Sequence, residues 1–346
     1  CISKAAPYIT DELGFSKVQM GWVFAAFSWC YALFEIPSGW LGDKIGARKV
    51  LMRIVLWWSF FTAATGWAWN LTTMIMTRAL FGMGEAGCFP NITKSFMTWL
   101  TPHERVRAHG IMWLCARWGG AITPLVVAGV LEYVSWRRAF ELFACFGIIW
   151  AFFFYRWYKD NPRDNPKVNA AELALMPKAE DLILGHGKIP WLKMIQSPTV
   201  WRLWIQYFCM NFPWIFYVTW LPTYLSEERH VEAGMGALLA GFPLFFGGIG
   251  SFFCGMFLPY LSRQIANVTL ARRLIAMSGL LGASLMFCLF PHIGNPVLGM
   301  LILGMASFGN DLAMPPSWAA CMDVGGKFAG TLSGSMNMIG NFGAAV

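Results

Sequence analysis

The chain has 346 residues, of which 57% are hydrophobic and only 13% charged, with a formal net charge of +8. That excludes a soluble globular domain, in which roughly 25% of residues are charged and about half are apolar. The lysines and arginines fall between apolar stretches rather than together on one face, which excludes a nucleic-acid-binding surface.

The apolar residues run in blocks of about 20 or more, enough to cross a ~30 Å hydrocarbon layer as helices. A membrane barrel would show alternating segments of about 10 residues instead. In chain order the blocks lie at 17–41, 50–69, 72–99, 108–131 and 138–158, then at 199–225, 234–257, 272–290, 296–320 and 328–346. Residues 159–198 are polar and punctuated by proline, which predicts a connecting loop with one short helix. The predicted organisation is a helical bundle over 1–158, the loop over 159–198, and a second bundle over 199–346.

Loop charges predict the orientation, because Lys and Arg are retained on the cytoplasmic side. Lys44, Arg48 and Lys49, then Arg105 and Arg107, the central loop, and Arg263, Arg272 and Arg273 mark alternate loops as cytoplasmic. The intervening loops carry Asp11 and Glu12, Asn70, Glu227, Glu228 and Glu232, and the stretch Pro291 to Pro296, with Arg137 and Arg138 as the exception. The halves also resemble one another: Pro7-Tyr8-Ile9-Thr10-Asp11-Glu12 leads to Gly39 much as Pro222-Thr223-Tyr224-Leu225-Ser226-Glu227 leads to Gly255. Parallel six-helix repeats are a transporter architecture with the solute site near the bilayer midplane. By that count the chain lacks most of span 1, the end of span 11 and span 12 of a twelve-span protein.

Nine cysteines are spread singly, without metal-ligand or redox spacing, and read as packing residues. Gly82-Met83-Gly84-Glu85-Ala86-Gly87 has the form GxGxxG, yet no strand precedes it, so it reads as a close helix contact rather than a dinucleotide loop. His103, His109 and His292 lie near loops and are expected to be solvated.

Residues 39–49, GWLGDKIGARK, occupy the first basic loop. Gly39 and Gly46 permit tight turns, Asp43 can cap a helix or pair with a base, and Arg48 and Lys49 suit lipid headgroups. This stretch resembles the loop signature of the major facilitator superfamily, whereas GMFLPYLSR in the second half has Pro259 where an acid would stand. The run RALFGMGEAGCFPN from Arg78 to Asn91 resembles the anion:cation symporter branch, which includes hexuronate, glucarate, galactonate and phthalate carriers and sialin. AFSWCYALFEIPSGW, QYFCMNFPWIFYVTWLPTYL and GNDLAMPPSWAACMD extend the resemblance over the chain. It implies an all-α membrane protein with the major facilitator fold, two six-helix bundles in the full-length protein.

Arg78 and Glu85 are seven residues apart, hence on one side of a helix about two turns and ~10 Å apart. Facing lipid, each charge would cost at least ~2.5 kcal/mol, so both are expected to face the bundle interior. A structural ion pair with neighbouring helices is one reading. In the other, a carboxylate in a low-dielectric cavity loads and releases a proton, and an arginine offers its fork to a substrate carboxylate. The resemblance implies proton coupling at Glu85, and an anion-binding arginine in the first span that would lie before Cys1. Arg117 and Glu35 both stand where the family often carries glutamine. Arg117 is expected either to bind an acidic or hydroxylated end of the solute or to pair with Glu35 or Asp311, and Glu35 is expected to gate or support the loop motif. Tyr31, Gln206, Tyr207, Asn211, Trp318, Asn337 and Asn341 lie where the family lines its cavity.

The expected function is proton-coupled uptake of a small organic anion, a sugar acid first, by alternating access in the bacterial inner membrane. Na+ is the alternative coupling ion, and no other cofactor or metal is expected. An exporter or antiporter, or a phthalate-like aromatic acid carrier, are the alternatives on the same fold. A receptor or enzyme fits least, since no catalytic arrangement is visible. The expected partners are the solute and the bilayer, with no nucleic acid, and the carrier is expected to be a monomer.

Overall fold

The computed structural model describes residues 2–176 and 189–345, and every regular element among them is helical. In order these are α1 (Ile2–Leu13), α2 (Lys17–Ile45), α3 (Ala47–Gly66), α4 (Leu71–Glu85), α5 (Cys88–Trp99), α6 (Pro102–Tyr133), α7 (Trp136–Trp157) and the short α8 (Ala170–Leu175). The central loop holds a second short helix where one was expected, α9 (Trp191–Gln196), and after it come α10 (Pro198–Ile215), a π-helical turn (Phe216–Trp220), α11 (Leu221–Glu227) and α12 (Ala233–Ala240). The last helices are α13 (Phe242–Ile265), α14 (Val268–Leu289), α15 (Pro296–Leu312), α16 (Met314–Gly325) and α17 (Ala329–Ala345).

Local chemistry sets the helix starts. Ser16 and Gln19 form a capping box at α2, each satisfying the other's backbone N–H. Asn70 and Thr73 do the same at α4, and Ser135 caps α7. Five stretches, among them Pro102–Tyr133 and Trp136–Trp157, are long and apolar enough to cross a membrane by length and composition among the described residues. Phe146, Phe153 and Trp157 on α7 and Leu281 and Leu285 on α14 are exposed. Such apolar faces are stable against lipid and not against water.

Several of the expected spans are not single continuous helices: 234–257 is divided at Gly241 and 296–320 at Ala313. The block at 72–99 breaks after Glu85, where Ala86 and Gly87 leave the helical path and Gly87 takes φ +83°. A side chain there would also meet the Ser38 side chain, so the turn needs glycine. The block at 199–225 is interrupted by the π-helical turn.

The chain divides into two compact units that cut across these helices. The first comprises Cys1–Trp99, Thr123–Trp204 and Met322–Phe342, and the second Leu100–Ile122, Ile205–Cys321 and Gly343–Val346. In the first unit Ile9, Val23, Met74, Trp136 and Phe140 form a buried cluster where α1, α2, α4 and α7 meet. In the second, Tyr217, Leu221, Leu225, Leu239 and Leu303 form another.

Candidate functional site

The loop motif closes onto α17 within the first unit. Gly39 and Gly330 approach so closely that a Cβ on either would strike the other's carbonyl oxygen. Small residues at such a crossing let helix backbones touch. One turn on, Asp43 reaches the first turn of α17, accepting from the Gly330 amide at 3.0 Å, the Thr331 amide at 2.6 Å and the Thr331 hydroxyl at 2.7 Å. Lys94 of α5 stands 3.1 Å from the same carboxylate and donates to the Lys327 carbonyl. Asp43 thus caps one helix from another and pairs with a base, both of the roles its sequence setting allowed. Lys94 was not apparent as its partner, although it is a cation inside an apolar block.

Arg48 is held against the end of α7. Its guanidinium donates to the Tyr155 carbonyl and lies 4.2 Å over the Tyr155 ring, and its amide donates to Asp160 at 2.8 Å. Burial pushes the Asp160 carboxyl above the usual carboxylate range, partly offset by that amide. Lys49 is exposed, and Gly46, at φ +91°, turns tightly against Asp160.

Further along α2, Glu35 is wholly buried and accepts from the Asn337 side-chain amide at 2.7 Å, with the Tyr31 hydroxyl 3.5 Å from the same amide. Asn341 donates to the Asn337 carbonyl, along its own helix. Arg78 and Glu85 lie on α4, with Glu85 as its last residue before the break. Arg78 is buried, donates to the Thr65 hydroxyl and to the Phe61 carbonyl at 3.4 Å, and lies 4.2 Å over Phe81. Among the described residues its Nε has no hydrogen-bond partner. Glu85 is half-buried and interacts electrostatically with Arg78.

The remaining expected site residues fall in the second unit. Arg117 of α6 makes a buried two-pronged bond to Asp311 of α15, with Nε 2.6 Å from Oδ2 and Nη2 2.9 Å from Oδ1. Of the partners open to it in sequence, Asp311 is therefore the one in place. Tyr207 packs edge-on against Trp318, and both are almost fully buried. Gln206 donates to Ser317 at 2.9 Å, and Asn211 donates to the Tyr207 carbonyl.

His109 corrects the expectation of a solvated residue: it is completely buried, its ring 5.8 Å from that of Trp318, while His103 and His292 are exposed. On the acidic-loop side an open groove is lined by Tyr8, Asp11, Glu12, Glu132, Tyr133 and Trp136, away from Arg78 and Glu85 in sequence. Glu12 there accepts from the Trp136 indole at 2.6 Å and from Arg137 at 2.9 Å, which together hold its carboxyl below the usual range.

Charges buried inside apolar helices, on helices whose outer faces are lined with exposed aromatic and aliphatic side chains, define a multi-pass membrane transporter. The chain belongs to the Major Facilitator Superfamily, whose sequence profile matches residues 1–346. It is 33% identical to the probable sulfoacetate transporter SauU of Cupriavidus necator, over 99% of this chain and 80% of that protein. It is 27% identical to the hexuronate transporter of Bacillus subtilis, over 98% and 80% of the two chains. With the D-galactonate transporter of Escherichia coli it shares 28% identity over 99% and 81%. Its fold is similar to the crystal structure of a bacterial homolog of the human lysosomal transporter Spinster, with TM-score 0.58 and 18% identity, covering 99% of this chain and 76% of that one. The chain is thus a transporter rather than an enzyme.

Proposed function

We propose that this transporter carries a small organic anion into the cell together with a proton, by alternating access between its halves 1–158 and 199–346 in a bacterial inner membrane. The observation that carries the reading is Glu85, a carboxylate at the broken middle of an apolar span with Arg78 on the same helix. Non-helical backbone at membrane depth is tolerated only where protein or a water-filled cavity surrounds it, and a break that adjoins a carboxylate supports a solute and proton site there. Arg78 keeps one donor for an anion, and Tyr31 and Asn337, in the same unit, suit hydroxyl groups. Hexuronate and D-galactonate in the names of relatives make a sugar acid the first choice of solute. A shorter sulfonated acid is the second, supported by the 33% identity to a probable sulfoacetate transporter.

The test uses full-length protein in proteoliposomes with an imposed pH gradient, offered D-galactonate, D-glucarate and sulfoacetate separately. Wild type should accumulate at least one of them when the outside is acidic, and Glu85→Gln should lose accumulation while keeping exchange. Accumulation by Glu85→Gln equal to wild type would remove Glu85 from coupling. Stabilisation of the purified protein against heat by one acid and not the others would identify the solute, since a ligand that binds only the native state raises its melting temperature.

A further inference from the structure

The most completely built ionic site in the second unit is the Arg117–Asp311 pair. The side chains are 7% and 0% exposed, and the guanidinium lies 4.3 Å over the Trp214 ring, with Trp113 at 5.9 Å. Asn310 donates to Asp311 Oδ1 at 3.2 Å. A Cβ at Gly247 of α13 would stand 2.6 Å from Ser307 Oγ and 2.8 Å from Asp311 Oδ2, so glycine there leaves room for the pair. The π-helical turn begins two residues after Trp214 and carries Tyr217, buried and within electrostatic reach of both Arg117 and Asp311. Single π turns in otherwise α-helical segments occur frequently at functional sites.

Stability does not account for this arrangement, because a buried ion pair is often no better than a well-packed apolar pair. Its charge balance points elsewhere. Arginine binds a carboxylate through two parallel N–H groups, and Asp311 occupies that fork as the carboxylate of a solute would. If a solute anion took the fork while Asp311 stayed ionised, the buried site would hold a negative charge without a counter-charge. If a proton arrived with the anion, the site would be neutral before and after.

We propose that Asp311 is an internal stand-in for the solute's carboxylate: the solute takes the Arg117 fork, and Asp311 binds one proton as it is displaced. This rests on the organic-anion reading above and adds a proton site independent of Glu85. Two N–H···O bonds from Arg117 to Asp311 break, two to the solute form, and one O–H bond forms on Asp311 with a proton from the aqueous phase. Among the described residues, the groups facing Asp311 are Arg117 from α6 and Tyr217 from the π turn. Ser251 and Gly247 from α13 carry no charge, α15 itself contributes Ser307 and Asn310, and α14 meets α15 through Gly279 and Ala283.

The test is calorimetric titration of full-length protein with D-galactonate and with sulfoacetate, in two buffers of different ionisation enthalpy, which counts protons taken up per anion bound. Asp311→Asn should take up one proton fewer than wild type and, at alkaline pH, bind the anion about tenfold more tightly because the competitor is gone. An unchanged proton count and affinity in Asp311→Asn, with wild type binding normally, overturns the proposal and leaves the carrier reading intact. Wild type that binds neither these acids nor D-glucarate overturns both. Should Asp311→Asn fail to fold, Arg117→Gln/Asp311→Asn replaces the ion pair by a neutral hydrogen-bonding pair. It should fold, bind at least tenfold more weakly and take up one proton fewer; wild-type affinity and proton count in that variant overturn the proposal.

Discussion

Replacing Asp43 by alanine should strike the first unit at its most connected carboxylate. Asp43 and Lys94 have side chains 5% and 3% exposed, so Asp43→Ala removes one partner of a buried ion pair, at a cost of about 3–5 kcal/mol. The same change strips the acceptor from the Gly330 and Thr331 amides, orphan donors in the first turn of α17, which adds about 1 kcal/mol, the usual worth of a helix cap. Asp43→Asn retains one carbonyl acceptor and should fall between wild type and alanine. The pairing term can be isolated by a double-mutant cycle, because Lys94→Met removes the other charge of the pair. Unfolding in detergent followed by tryptophan fluorescence, with denaturant as the perturbant, measures each variant. The reasoning fails if Asp43→Ala lies within about 1 kcal/mol of wild type, or if Asp43→Ala/Lys94→Met is no more stable than Asp43→Ala alone.

Two further outcomes are expected. Gly39→Ala should destabilise by about 1–3 kcal/mol, since its methyl group would land on the Gly330 carbonyl oxygen and neither backbone can rotate away; a variant with wild-type unfolding and uptake would show that α2 and α17 can separate freely. Glu12, outside the apolar blocks at the loop end of α1, has its carboxyl held below the usual range by the Trp136 indole first and Arg137 second. Its folded-state pKa is lower than its unfolded one, so this contact stabilises at neutral pH and is lost as pH falls below about 4.3 and through the lowered value. Glu12→Gln should flatten the acid limb of the stability curve, and superimposable limbs for the two proteins would contradict the assignment.

The membrane class and the helical architecture were legible because hydrocarbon imposes a length and a polarity on every span, and the chain obeys both. The loop motif was legible because its glycines and acid must sit at fixed spacing to turn and cap. The partners of the buried charges were not, because pairing is a tertiary fact: Asp311 lies 194 residues from Arg117 and Thr331 lies 288 from Asp43. His109 misled because four residues beyond a basic arginine look like loop, whereas α6 has already carried it inward against Trp318. The break after Glu85 was equally hidden. Glycines in an apolar block fit a close helix crossing as well as a turn, and what separates the two, the positive φ of Gly87 and the approach of Ser38 from another helix, exists only in the fold.

That break also gives the span mechanical properties a continuous helix would lack. Beyond Gly87, the 12 residues of α5 form an arm about 18 Å long. Rotation about the two dihedrals of one glycine swings this arm without straining the hydrogen-bond ladder of α4, so a turn of about 10° moves its far end by about 3 Å. Lys94 rides on that arm while Glu85 stays on the fixed side of the pivot. The span is thus built as a lever whose fulcrum adjoins the carboxylate and whose load is the ion pair with Asp43.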